Sequence, residues 1–104
     1  MKIGSLIKRI RTIRGLTQVQ LAHQMGITQN YLSLIETDKK TPSNAKIKEL
    51  SRHLQLSEHA LIFLSTEPPH ELDQYARRDY VKLQHNILSL LVFDLSGNLE
   101  ANSA

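Results

Sequence analysis

The chain has 104 residues and carries thirteen Lys and Arg against ten Asp and Glu, a formal net charge of +3. It is 40% hydrophobic and 22% charged, which is typical of a globular protein and not of a disordered one. Its lack of cysteine excludes disulfides, thiolate metal sites and cysteine nucleophiles. No apolar run approaches the ~18 residues of a membrane span. We expect one soluble, cytoplasmic domain with an appendage.

The positive charge is concentrated in the first two thirds of the chain. Residues 1–66 hold ten basic and four acidic residues, a balance of +6, whereas residues 67–104 hold three basic and six acidic residues, a balance of −3. A basic part suggests a surface that faces a polyanion. Many proteins without such a partner show a similar imbalance, so charge alone does not assign one.

Glycines separate the first three predicted helices. An apolar stripe at helical spacing predicts the first helix, which Gly15 ends. Thr17 followed by Gln20 is a capping-box signature for a second helix, which ends at Gly26. Thr28 is the expected N-cap of the third helix. The stripe of the first helix consists of Ile3, Leu6, Ile7, Ile10 and Ile13.

Two further helices precede a proline-rich break. Ser43 and Ser57 are the expected N-caps of a fourth and a fifth helix. The adjacent prolines of STEPPH, residues 65–70, cannot continue a helix and favour an extended connection. We therefore place a domain boundary there, between residues 1–66 and residues 67–104. The predicted fold class is all-α, with five helices followed by a C-terminal helix.

The segment after the break has apolar residues every three or four positions, which predicts one helix over about residues 71–94. Residues 87–95 have a strand as an alternative, because Val92 and Phe93 favour β structure and residues 96–98 would form a turn. An apolar stripe on an outlying helix needs a partner, and we expect it to dimerise. Folding back over its own domain and binding another protein are the alternatives. The expected interface consists of Tyr80, Leu83, Ile87 and Leu91.

Residues 17–36 combine the features of two helices that cross over a very short turn. Ala22 supplies the small side chain needed where the helices approach most closely, and Gly26 supplies a turn residue that tolerates positive φ. Apolar residues on both sides close the angle between the helices. Together these positions predict a helix-turn-helix. The apolar residues are Leu21, Met25, Ile27, Leu32 and Ile35.

The stretch GLTQVQLAHQMGITQNYLSLIETDKKTPS resembles the Xre-type family of phage repressors, Cro proteins and bacterial regulators, and the resemblance covers roughly residues 3–64. It implies a repressor-like DNA-binding domain that binds double-stranded DNA as a homodimer. We expect a sequence-specific transcriptional repressor at a palindromic operator. The alternative is a protein-interaction module, or an autoregulated antitoxin, whose C-terminal helix binds a partner protein.

The third helix should present Gln29, Asn30 and Ser33 outward if its apolar residues face the core. Glutamine and asparagine pair with adenine N6 and N7 in the major groove, and serine reaches either kind of base edge. Such residues on an arbitrary helix are ordinary solvated surface, so the assignment depends on the helix-turn-helix. Thr28 lies beside them and can touch a base or a phosphate.

Phosphate contacts are expected around this helix. The resemblance implies one for Gln18, which lies at a helix N-terminus. Lys39 and Lys40 are expected to contact phosphate as well, with an ordinary solvated loop as the alternative. The Tyr31 hydroxyl can meet a phosphate or the ring can pack on the scaffold. Leu34 departs from the polar residue common in the family, and either contacts a thymine methyl or no base.

The resemblance also implies a structural salt bridge between Arg11 and Glu36. Asp38 departs from the family's usual glycine, although aspartate tolerates the left-handed region better than most residues. The five histidines lack ligand spacing, and no nucleophile–base pattern or glycine-rich phosphate loop is present. We therefore expect no metal, no cofactor and no enzymatic activity.

Overall fold

The computed structural model describes residues 1–95, with side chains as far as residue 91. These residues form six helices and no strand, which confirms the all-α class. The helical interpretation of residues 87–95 is confirmed too, whereas the turn of the strand alternative, at residues 96–98, lies outside the described residues. The helices are α1 (Ile3–Ile13), α2 (Gln18–Met25), α3 (Gln29–Glu36), α4 (Asn44–Leu54), α5 (Glu58–Ser65) and α6 (Gln74–Leu95).

Side-chain hydroxyls fix where four of the helices begin, as predicted. Each cap accepts a hydrogen bond from a backbone N–H three residues later, which satisfies a donor that has no partner within the helix. In the capping box of α2, the Thr17 hydroxyl accepts from Gln20 N at 3.0 Å and the Gln20 side chain accepts from Thr17 N at 2.8 Å. The four caps are Thr17, Thr28, Ser43 and Ser57.

Helix α6 begins three residues later than its periodicity predicts. Leu72 N donates to Pro69 O at 3.2 Å in a turn that precedes the helix. The Asp73 carboxylate then accepts from Ala76 N at 2.8 Å and acts as the N-cap. An apolar residue at position 72 extends the stripe, but the cap sets the boundary.

The core lies where α1 passes behind the helix-turn-helix. Helix α1 packs against α3 and α5, and α2 packs against both α3 and α4. Burial of each large aliphatic side chain stabilises the fold by about 1.5–3 kcal/mol. Helix α3 is therefore held from behind by a packed scaffold. The fully buried large side chains are Leu6, Ile7, Ile10, Leu21, Leu32, Ile35, Leu50, Leu54 and Leu61.

Helix α6 folds back over α5 and α1 of its own chain. The Gln84 side chain donates to Phe63 O at 2.8 Å and to Thr66 O at 2.7 Å, so it satisfies carbonyls at the end of α5. The rings of Tyr80 and Phe63 lie 5.1 Å apart. Within residues 1–95, no helix is long and apolar enough to cross a lipid bilayer.

The four residues expected to form a dimer interface therefore divide into two groups. Tyr80 meets Phe63, and Ile87 and Leu91 pack half-buried against the chain's own core. Leu83 remains 51% exposed on the flank of α6. The structure thus gives three of these side chains an intramolecular contact, because the same stripe that fits a second helix also fits the α1–α5 surface. Periodicity alone does not distinguish these two partners.

Candidate nucleic-acid interface

The turn between α2 and α3 has the geometry that its sequence requires. Gly26 ends α2 at φ 68° and ψ 30°, in the left-handed region that glycine adopts without steric cost. Ile27 N donates to Ala22 O at 3.0 Å, which tightens the end of the helix. Ala22 is 2% exposed, so it lies buried beside this turn. Local backbone geometry thus sets the direction in which α3 leaves.

Helix α3 has one face in the core and one in solvent. Leu32 and Ile35 are fully buried, whereas Gln29 and Asn30 are exposed. Ser33 is half-buried between the two faces. The structure therefore brings the predicted base-contacting side chains to one surface. Thr28 is exposed as well, and its oxygen accepts from Tyr31 N at 3.0 Å, which leaves its hydroxyl proton free to donate.

A buried ion pair lies directly beneath this surface. Arg11 Nε and Nη2 donate to the Glu36 carboxylate at 2.7 and 3.0 Å, and Arg11 Nη1 donates to Leu16 O at 2.7 Å. The two residues are 8% and 3% exposed. No buried side-chain nitrogen or oxygen among the described residues lacks a hydrogen-bond partner. The pair thus joins α1 to the end of α3, as the resemblance implies.

Gln18 is engaged by this ion pair, which its sequence position did not predict. Its Nε2 donates to Glu36 Oε1 at 2.9 Å across the gap between α2 and α3. Its Oε1 lies 3.5 Å from Gln29 Nε2 on the exposed side. Gln18 is half-buried, with one N–H of its side-chain amide committed to the protein. The sequence places Gln18 directly after Thr17, the N-cap of α2, but does not indicate its contact with Glu36.

The loop after α3 presents two lysines in a defined backbone conformation. The backbone N–H groups of Lys39 and Lys40 both donate to Leu34 O, at 2.9 and 3.1 Å. Both side chains are exposed, and Lys40 Nζ lies 5.6 Å from the centre of the Tyr31 ring. Tyr31 also packs against the core cluster, so its ring has a scaffold role. Leu34 is half-buried beside these residues.

Asp38 was foreseen as a turn residue and has a second role. It adopts φ 61°, and its carboxylate accepts from Gly4 N at 3.0 Å. The loop that carries the lysines is thereby tied to the first turn of α1. In the part of the chain that is described, no three His, Asp or Glu side chains come together as metal ligands would.

Comparison with known proteins identifies the family. The family model described as "Helix-turn-helix" matches residues 7–61, more than half of the chain. The chain is 33% identical over 79 residues to the immunity repressor protein of Bacillus phage phi105, an alignment that covers 76% of this chain and 55% of the phage protein. It is 33% identical over 67 residues to the uncharacterized HTH-type transcriptional regulator y4dJ of Sinorhizobium fredii (strain NBRC 101917 / NGR234), covering 64% of this chain and 87% of that protein.

The chain spans about half the length of the phage repressor, and no solved structure matches it. The family match covers the two helices and the turn whose geometry is described above, together with α4 and the part of α1 from residue 7 onward. The resemblance seen in the sequence is confirmed. The chain belongs to the Xre-type helix-turn-helix family, a family of DNA-binding transcriptional regulators and not of enzymes.

Proposed function

We propose that this protein is a transcriptional repressor that binds a palindromic operator as a dimer, with α3 of each copy in the major groove. The observation that carries the proposal is the division of α3, whose apolar face is buried in the core while Gln29 and Asn30 are exposed on the other. The phage relative is an immunity repressor, which supports repression over activation.

Base recognition is assigned to the exposed face of α3. Gln29 and Asn30 each offer an amide that can pair with adenine N6 and N7, and Ser33 can reach a base of either kind. Thr28 stands at the start of the same face and can reach a base or a phosphate.

Phosphate recognition is assigned to residues on both sides of α3. Lys39 and Lys40 follow its end, and Gln18 lies at the start of α2, where helix N–H groups favour an anion. Gln18 Nε2 retains one N–H after its bond to Glu36. The Tyr31 hydroxyl is a further candidate donor to phosphate. These contacts fix orientation and confer salt dependence but carry no sequence information.

Dimerisation is assigned to the flank of α6 that stays exposed. Leu83 and Leu90, seven residues apart, are 51% and 69% exposed and lie on one side of the helix. In this proposal Tyr80, Ile87 and Leu91 dock α6 onto its own domain and shape the border of that flank. Leu83, with Leu90, then meets a second copy of the chain.

Selection of bound sites from random DNA tests the proposal. We expect an inverted repeat whose half-site centres lie about 34 Å apart, or a multiple of that spacing. Affinity should fall steeply between low and physiological salt, because several phosphates are contacted. Leu83→Glu should leave the fold intact and yield a monomer in sedimentation experiments. An enriched motif without a repeat would overturn the dimer, and the absence of any motif together with a co-purifying protein would favour the partner-binding alternative.

A further inference from the structure

We infer that Glu36 is a positioning residue that sets which atoms of Gln18 and Gln29 face the DNA, and thereby sets the base preferred by Gln29. The inference rests on the proposed function, since it requires Gln29 to contact a base edge. It adds a functional role to a carboxylate that the resemblance implies to be purely structural.

The carboxylate of Glu36 accepts three hydrogen bonds from side chains. Its Oε2 accepts from Arg11 Nε at 2.7 Å, and its Oε1 accepts from Arg11 Nη2 at 3.0 Å and from Gln18 Nε2 at 2.9 Å. In its ion pair with Arg11 this carboxylate accepts hydrogen bonds and donates none. The nitrogen of the Gln18 amide must therefore face Glu36, because its oxygen would meet another oxygen. The Gln18 oxygen is turned toward the exposed surface.

The orientation of the Gln18 amide determines the orientation of the Gln29 amide. Gln29 Nε2 lies 3.5 Å from Gln18 Oε1, so one N–H of Gln29 faces an acceptor on the protein. Gln29 then has its Oε1 and its second N–H available for a ligand. One acceptor and one donor on a planar amide match N6 and N7 of adenine in the major groove. The buried carboxylate thus selects the adenine-binding orientation from two orientations that a free glutamine could adopt.

Replacing Glu36 by glutamine removes the preference for one orientation of the Gln18 and Gln29 amides. A glutamine at position 36 offers an amide that both donates and accepts, so the Gln18 amide can turn over and place its nitrogen outward. Gln29 must then turn its oxygen toward Gln18, which leaves only its two N–H donors for the DNA. Guanine offers two acceptors, O6 and N7, at the same groove positions. We therefore expect the preference for adenine over guanine to narrow at this base pair.

The experiment uses the full chain and duplexes that carry each of the four base pairs at one operator position. Gln29→Ala first identifies that position as the pair where discrimination is lost. Glu36→Gln should then lower the adenine-over-guanine affinity ratio there by about tenfold. The preference at the pair contacted by Asn30 should not change.

Arg11→Lys is the matched control. It weakens the ion pair and lowers the melting temperature, but it leaves the Glu36 carboxylate in place as the acceptor for Gln18. Its adenine-over-guanine ratio should stay within about twofold of the starting protein. Glu36→Asp is a second variant, for use if Glu36→Gln does not fold. It keeps the carboxylate but shortens the side chain by one methylene, which moves the carboxylate away from Gln18. This variant should also lower the adenine-over-guanine affinity ratio.

The outcomes separate this inference from the proposed function. If Gln29→Ala abolishes discrimination while neither Glu36 variant changes it, Glu36 is scaffold alone and only the positioning role is overturned. Equal narrowing of the ratio by Arg11→Lys would also overturn the positioning role, because disturbance of the ion pair, and not loss of the bond from Gln18 to the carboxylate, would then explain the effect. If Gln29→Ala leaves every preference unchanged, the assignment of Gln29 to a base fails and the inference fails with it.

Discussion

The backbone N–H of Gly4 donates to the carboxylate of Asp38 at 3.0 Å, which joins the first turn of α1 to the loop after the recognition helix. The Ser5 hydroxyl lies 3.4 Å from the other carboxylate oxygen. An acidic group near a helix N-terminus is favourable, because unpaired N–H groups give that end a partial positive charge. This contact holds α1, the end of α3 and the lysine loop in one arrangement.

Gly4→Ala should destabilise the domain. A Cβ at this position would lie 2.1 Å from Ile35 O and 2.7 Å from Asp38 Oδ1, so helices α1 and α3 would have to move apart. We expect a loss of about 1–3 kcal/mol, seen as a lower midpoint in urea unfolding. Ser5→Ala, at the exposed neighbouring position, should change stability by less than about 0.5 kcal/mol. Equal effects of the two substitutions would contradict the close approach at Gly4.

Substitutions of Asp38 should separate its backbone role from its capping role. Asp38→Asn keeps both a side-chain acceptor and tolerance of φ 61°, and should cost little. Asp38→Gly relieves the strain of the left-handed backbone but loses the carboxylate that accepts from Gly4 N. Asp38→Ala loses both and should cost about 2–3 kcal/mol, the largest effect of the three. Thermal melting of the series tests the order Asn, Gly, Ala. A glycine variant more stable than the starting protein would contradict this order, because it would show that the strain at position 38 outweighs the hydrogen bond to Gly4.

Arg11→Ala should reduce stability strongly without changing the selected DNA motif. The substitution leaves the Glu36 carboxylate buried without its charged partner, which costs about 3–5 kcal/mol. Arg9→Ala is the matched control, since Arg9 is exposed on the same helix and its loss removes the same charge. Chemical unfolding measures the cost, and site selection at low temperature measures the motif. Similar stability of the two variants would contradict a buried, structural pair.

Gln84→Ala should loosen α6 and leave the helix-turn-helix unchanged. The substitution removes two hydrogen bonds to the carbonyls of Phe63 and Thr66, at 2.8 and 2.7 Å. We expect the free energy of opening α6 to fall by about 1–2 kcal/mol. Faster amide hydrogen exchange in α6 alone would measure this change. Asn86→Ala, on the exposed side of the same helix, is the control. Unchanged exchange in the Gln84 variant would show that these bonds do not hold α6 in place.

The features that sequence predicts best here are local ones. The capping box joins Thr17 and Gln20, three positions apart, and the left-handed turn at Gly26 depends on that residue alone. Both signals lie within a few residues of the sequence and need no tertiary information. The two faces of α3 follow from the same logic, because Leu32 and Ile35 define the buried side and place Asn30 opposite, with Gln29 on the flank.

Contacts between distant residues could not be predicted in this way. The bond from Gln18 to Glu36 spans 18 residues, and that from Gly4 to Asp38 spans 34. Both depend on how α1, α2 and α3 pack, which periodicity does not specify. The fold-back of α6 is a third case, since its apolar stripe is compatible with a second copy and with its own domain. Its start was misplaced because Asp73, and not the stripe, sets the boundary.

The central claim is that Gln29 and Asn30 on α3 determine which DNA is bound. Selection of sites from random DNA with the double variant Gln29→Ala, Asn30→Ala, in parallel with the unchanged protein, tests it most directly. The unchanged protein should enrich an inverted repeat, and the variant should lose the preference at two base pairs in each half-site, at a cost of about 1–3 kcal/mol for each pair. Enrichment of the same motif by both proteins would contradict the claim.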